Sequence, residues 1–127
     1  MAAAAEGVVS IVVRHASAGD RHDWAGDDRL RPLDDKGRRQ AEEIAAVLGS
    51  EDVRRVVSSP YVRCVQTVEP LAAQLGLEVE LDDRLAEGAG AAARPLLDED
   101  GVVVCTHGDV VHELLGRGLK KAEYVLI

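Results

Sequence analysis

Val8-Val9-Ser10-Ile11-Val12-Val13-Arg14-His15 is a short β-branched apolar run that ends abruptly in a guanidinium and an imidazole. Continuous apolar character over six residues marks a strand buried on both faces, as in a parallel sheet covered by helices. A second such strand, Val102-Val103-Val104-Cys105, runs into Thr106-His107-Gly108. Between them the pattern alternates. A helix is expected over Asp34 to Leu48, where Ala41, Ile44, Ala45 and Leu48 share one face and Gly49 supplies the stop. Arg54 to Ser58 reads as a strand, and Ser59-Pro60 as a helix start with Ser59 as the cap. That helix carries Val65 and Val68 and is expected to kink or split at Pro70 and to end at Gly76. Leu77 to Leu81 alternates like a half-exposed strand. Residues 88–98 suggest a weak helix interrupted near Pro95, Val110 to Leu115 a short helix, and Tyr124 to Ile127 a last strand. Ala16 to Pro32, polar and without periodicity, reads as a long loop. This order of elements implies an α/β fold, a three-layer sandwich with a mainly parallel central sheet.

With 127 residues there is room for one core. The expected organisation is a frayed start over 1–7 and a single domain over 8–127. The chain has one Trp, two Tyr and no Phe, so aliphatic side chains must fill the core. A formal net charge of −8 repels nucleic acid and acidic membrane surfaces, so neither is an expected partner. Cys64 and Cys105 are too few for a disulfide framework and read as buried thiols in a reducing compartment. Without a basic start or a long apolar segment near the N-terminus, the expected location is the cytoplasm.

In a parallel sheet, ligands bind outside the carboxyl ends of the strands. Arg14 and His15 follow one buried strand and His107 follows the other. Arg63, in Ser58-Ser59-Pro60-Tyr61-Val62-Arg63, falls in the first turn of a helix whose N-terminus itself attracts anions. Two arginines and two histidines at one edge suit a phosphate. Each opposite charge at about 4 Å contributes on the order of 4 kcal/mol at an effective dielectric near 20, less the cost of desolvation. Arginine adds bidentate geometry that lysine lacks. A histidine nucleophile needs a neutral attacking nitrogen, and the neighbouring guanidinium disfavours the imidazolium. Glu87, after the third strand, is the candidate acid for the leaving oxygen. A zinc site is set aside, because no third ligand stands at metal spacing.

These residues resemble the motifs of the histidine phosphatase, or phosphoglycerate-mutase-like, superfamily. Arg14-His15-Ala16 resembles its first signature, Ser58-Ser59-Pro60-x-x-Arg63-x-x-Gln66-Thr67 its second arginine motif, and Cys105-Thr106-His107-Gly108 its second histidine motif. Arg31-Pro32-Leu33-Asp34-x-x-Gly37-x-x-Gln40-Ala41 resembles the spacer between them. The resemblance implies a phosphoglycerate-mutase-like fold and a covalent phosphohistidine at His15. It also implies a phosphate pocket of Arg14, Arg63 and His107, Glu87 as the acid, and no metal or organic cofactor. The nearest branches are the small bacterial phosphohistidine phosphatases and the phosphatase-like domains attached to some actinobacterial nudix hydrolases, although no nudix signature is present. The expected substrate is a phosphorylated small molecule or a phosphohistidine protein. A mutase-type phosphoryl transferase and a non-catalytic phospho-ligand binder are the alternatives. Three departures stand out: Ala16 in place of the commoner Gly, no mutase-type glycine and tryptophan pattern after Glu87, and only a short segment after His107.

Overall fold

The computed structural model describes residues 9–127; the frayed start expected over 1–7, and Val8, lie outside the described residues. Five strands form one sheet: β1 (Ile11–Arg14), β2 (Arg55–Ser58), β3 (Val79–Leu81), β4 (Val102–Thr106) and β5 (Tyr124–Leu126). Their order is β3-β2-β4-β1-β5. All neighbours are parallel except β5, which runs antiparallel to β1. Val13 pairs with Cys105 and Arg14 with Thr106, so the residues that follow, His15 and His107, leave the sheet side by side. Ser58 pairs with Cys105 on the other side of β4 and brings the β2 exit to the same edge.

Alternation along the strands divides the core into two halves. On one face Ile11, Val13, Val56, Val103 and Cys105 pack under α1 (Asp35–Leu48) and α2 (Val62–Leu75). On the other, Val12, Val57, Val102 and Val104 meet Leu85, Leu96, Leu119 and Val111 of α3 (Gly108–Leu115). The result is three layers, as the alternating pattern implies. Burying each Val or Leu contributes about 1.5–3 kcal/mol, and their number offsets the shortage of aromatic rings. No helix among the described residues is long and apolar enough to cross a membrane.

Several local expectations differ from the structure. The helix after β2 begins at Val62 with Tyr61 at its N-cap and no side-chain cap, so Ser59 does not cap it. It also runs unbroken through Pro70. Proline removes one backbone hydrogen bond there, while Val68, Leu71 and Ala72 on either side stay locked against α1. Pro95 starts a 3₁₀ turn over Arg94–Asp98 instead of interrupting a helix. Gly49 closes α1 with an ordinary helical φ of −63°, whereas Gly76 closes α2 in the left-handed region at +70°. The loop over 16–32 contains two 3₁₀ turns, Arg21–Asp23 and Asp28–Leu30.

The first turn of α1 is where the fold grips the loop that follows β1. Asp34 caps the helix, its Oδ1 accepting from Gly37 N at 2.7 Å and its Oδ2 from Ser17 Oγ at 2.8 Å. A Cβ at Gly37 would lie 1.9 Å from the Ser17 carbonyl oxygen. Two effects therefore oppose each other in Gly37→Ala: helix propensity gains about 1 kcal/mol, and overpacking against backbone costs about 1–3 kcal/mol or more. The clash is with a carbonyl that cannot rotate away, so it prevails. Gly37→Ala is expected to lower the thermal midpoint; a raised midpoint would show that α1 does not approach Ser17 this closely.

Candidate active site

His15 and His107 face each other at the sheet edge, their ring centroids 5.4 Å apart and their planes at 67°. Both are buried, at 6% and 2% exposure. His15 Nδ1 lies 2.9 Å from the Ala16 carbonyl, which can only accept, so Nδ1 carries the hydrogen. Nε2 is left with the free lone pair. Burial holds the His15 pKa down from 6.5 to about 3, the Ala16 hydrogen bond opposes this, and the charges of His107, Arg63 and Arg14 push the same way as burial. The ring is thus neutral and oriented with Nε2 as its nucleophilic atom.

The two arginines reach the site by different routes. Arg14, the last residue of β1, donates from Nη1 to the Leu119 carbonyl at 2.8 Å. Its guanidinium lies against Gly108, where a Cβ would come to 3.0 Å of Cζ. Arg63, in the first turn of α2, is 1% exposed. It donates to the Asp28 carbonyl at 2.8 Å and to Asp28 Oδ2 at 3.0 Å, and it stacks 4.9 Å from the Tyr61 ring. Asp28 also accepts from Arg31 Nε at 2.9 Å. Burial raises the Asp28 pKa, but the Arg31 hydrogen bond and the charges of Arg63, Arg31 and Arg21 outweigh it and hold the carboxyl below its ordinary value.

His107 Nε2 lies 2.9 Å from Ser59 Oγ and 3.5 Å from Cys64 Sγ. The Tyr61 amide donates to the same Ser59 oxygen at 3.2 Å. Among the described residues, the buried side-chain nitrogens and oxygens without a partner are Arg14 Nε, Arg63 Nε and His107 Nδ1. An unsatisfied buried donor costs about 1–3 kcal/mol. Here all three belong to the four residues singled out from the sequence.

A cavity of about 520 Å³ opens over this edge, lined among others by Arg14, His15, His107, Glu87, Arg21 and Lys121. Glu87 Oε1 accepts from Arg21 Nη2 at 2.9 Å, and its Oε2 lies 3.6 Å from Arg63 Nη2. Four of the five candidate residues line the cavity, and Arg63, buried and absent from its lining, adjoins them through Glu87. Asp28, Arg21 and Ser59 were not singled out for these contacts from the sequence; Ser59 was assigned to helix capping and instead holds His107. Ser17 turns its hydroxyl to Asp34. His22 and Trp24 do not line the cavity, and Trp24 donates to the Asp27 carbonyl at 2.9 Å within its own loop. His112 is exposed, as its position on α3 implies.

Comparison with known proteins adds an independent finding. The profile of the histidine phosphatase superfamily (branch 1) matches residues 10–96. An 8-oxo-(d)GTP phosphatase from Mycolicibacterium smegmatis is 40% identical over 122 residues, which are 89% of this chain and 38% of that protein. The chain therefore spans well under half the length of this relative. Among solved structures, a mycobacterial glucosyl-3-phosphoglycerate phosphatase superposes with a TM-score of 0.73 at 20% identity, covering 92% of this chain and 88% of its own. A protein histidine phosphatase complexed with tungstate superposes at 0.70 and 22% identity, covering 93% of each chain. At such identities these two likenesses concern the fold.

The depressed His15 pKa has a consequence for stability. An unfolded histidine takes up a proton near pH 6.5, whereas the folded one does so near pH 3. The contribution is therefore complete above about pH 6.5 and is lost as the pH falls from there toward 3. The thermal midpoint of the wild type is expected to fall more steeply than that of His15→Gln between pH 7 and 4.5. Parallel curves would mean that His15 is not held neutral by burial.

Proposed function

Because the chain belongs to the histidine phosphatase superfamily, we propose that it hydrolyses a phosphomonoester or phosphoramidate through a covalent phosphohistidine on Nε2 of His15. The observation that carries this reading is the set of three buried, unpartnered nitrogens, the Nε donors of Arg14 and Arg63 and Nδ1 of His107, beside the neutral imidazole of His15. Donors held without partners gain most when negative charge arrives, and they need no reorganisation then. Nε2 attacks phosphorus in line, a P–N bond forms and the bond to the leaving oxygen breaks. Arg14, Arg63 and His107 take the charge of the equatorial oxygens. A water then attacks phosphorus and gives a proton to the Glu87 carboxylate left by the first step, the P–N bond breaks, the lone pair returns to Nε2, and inorganic phosphate leaves.

Glu87 is the candidate for protonating the leaving oxygen, since it lines the cavity beside Arg63. The reaction needs no metal or organic cofactor. The expected substrate is a phosphorylated small molecule or a phosphohistidine on a protein. The buried free thiols of Cys64 and Cys105 fit a reducing, cytoplasmic setting, and 8–127 is read as one domain.

Brief reaction with ³²P-labelled substrate and an alkaline quench is expected to leave acid-labile label on wild type and none on His15→Ala. Label found on both, or on neither while phosphate is released, would overturn the nucleophile assignment. For Glu87→Gln, kcat/KM is expected to fall about 10²- to 10⁴-fold with an alkyl phosphate and far less with nitrophenyl phosphate, whose leaving group needs no proton. Equal losses on the two substrates would remove Glu87 from the acid role.

A further inference from the structure

The cavity wall carries the cations of Arg14, Arg21, Arg31 and Lys121 and the carboxylates of Asp20, Glu87 and Asp109, of which Asp20 accepts from His22 N and Asp109 from Gly88 N. Arg21 is spent on Glu87 at 2.9 Å and Asp28 at 3.6 Å. Arg31 is spent on Asp28 and on the Ala18 carbonyl at 2.6 Å. Lys121 also lines the cavity, and none of the ion pairs among the described residues includes it. The carboxylate whose field it feels, Asp34, is already occupied by Gly37 N, Ser17 Oγ and Gly19 N.

The backbone that carries Lys121 is fastened to the nucleophile itself. Ala122 N donates to the carbonyls of Arg14 and His15, both at 3.1 Å, and Arg14 N donates to the Glu123 carbonyl at 3.0 Å. Arg14 Nη1 reaches the Leu119 carbonyl. Ala122 adopts a left-handed φ of 65°, and no other described residue except glycine has a positive φ. That conformation costs an L-residue about 1–2 kcal/mol, and such strain persists where the surroundings impose it. The strained turn fixes the backbone that carries the exposed Lys121 relative to Arg14 and His15. The cavity, at about 520 Å³, has room for far more than one phosphoryl group, a water molecule taking about 30 Å³.

We propose that Lys121 determines specificity by binding a second anionic group, phosphate or carboxylate, of a phosphorylated small molecule whose transferable phosphoryl group lies at His15. This rests on the reading of His15 as the phosphoryl acceptor. An ammonium is a point charge that accepts either anion, whereas the bidentate guanidinium of Arg14 belongs to the phosphoryl group. The natural substrate class is then a phosphomonoester with a nearby phosphate or carboxylate, in preference to a phosphohistidine in a protein.

Calorimetry with inorganic phosphate, pyrophosphate and phosphoglycolate tests this on wild type, Lys121→Gln, Lys121→Arg and Lys120→Gln. Lys120 carries the same charge one residue away but does not line the cavity. Expected is an affinity ratio, of pyrophosphate or phosphoglycolate over phosphate, that falls about tenfold in Lys121→Gln and recovers in Lys121→Arg. It should change less than twofold in Lys120→Gln. Whichever probe loses more identifies the second anion as phosphate or carboxylate. An unchanged ratio in Lys121→Gln, an equal fall in Lys120→Gln, or wild type binding neither larger probe more tightly than phosphate would overturn the proposal. Failure of the nucleophile reading would show separately, as wild type that takes no label on His15.

Discussion

Four side chains are held together at the sheet edge although the two guanidinium groups repel each other, both disfavour a charged His15, and three of the nitrogens lack partners. Two guanidinium groups beside two imidazoles raise the electrostatic energy of the unliganded protein, and desolvation adds to it. The fold tolerates this by keeping His15 neutral and by giving the arginines partners on one side only. Arg14 has the Leu119 carbonyl, and Arg63 has both the carbonyl and the carboxylate of Asp28. Asp28 matters most in this balance, because it sits among Arg21, Arg31 and Arg63 and supplies the negative charge that lets a 1%-exposed guanidinium stay buried.

The same strain explains why so many hydrogen bonds converge on the few residues after β1. Ala16 N donates to Thr67 Oγ1, Ser17 N to Gln40 Oε1, and Leu33 N to Gln66 Oε1. The spacer and second-arginine motifs are thus physically one clamp, built from α1 and α2, on the loop that follows His15. Ala16 fits within it: its methyl group is fully buried with Ala18, Leu33 and Ala41, so the replacement of the commoner glycine adds packing there. Ser59 belongs to the same logic on the other histidine, because its hydroxyl and the sulfur of Cys64 fix the His107 ring.

What could be read in advance follows from which signals are local. The buried strands declare themselves by continuous apolar runs, and the rule that sites lie at strand ends then places Arg14, His15 and His107 together. Arg63 follows from helix-start chemistry even though Ser59 was misassigned, since the first turn of α2 falls in the same place whichever residue caps it. The contacts of Asp28, Arg21 and Lys121 depend on where an aperiodic loop and a late turn fold back in space, and no local pattern encodes that. Pro70 is the opposite case: the local signal is strong, and the packing of α2 against α1 overrides it. The left-handed Ala122 had no signal at all, because alanine is not a residue that announces positive φ.

The acidity of the whole and the basicity of the site act over different distances. A formal charge of −8 is felt by an approaching anion several ångströms out, but is screened over roughly 8–10 Å at physiological ionic strength. Inside the cavity, the cations of Arg14 and Lys121 act at shorter range than that net charge, while Glu87 is paired with Arg21, and Coulomb energy rises as distance falls and the local dielectric drops. A polyanion must keep most of its charges over the acidic exterior while one group enters, so it pays the repulsion in full. A small molecule carries all its charge inside, where the balance is favourable. An acidic surface around the Arg14 and Lys121 cations therefore favours a compact anion over a polyanion at this edge.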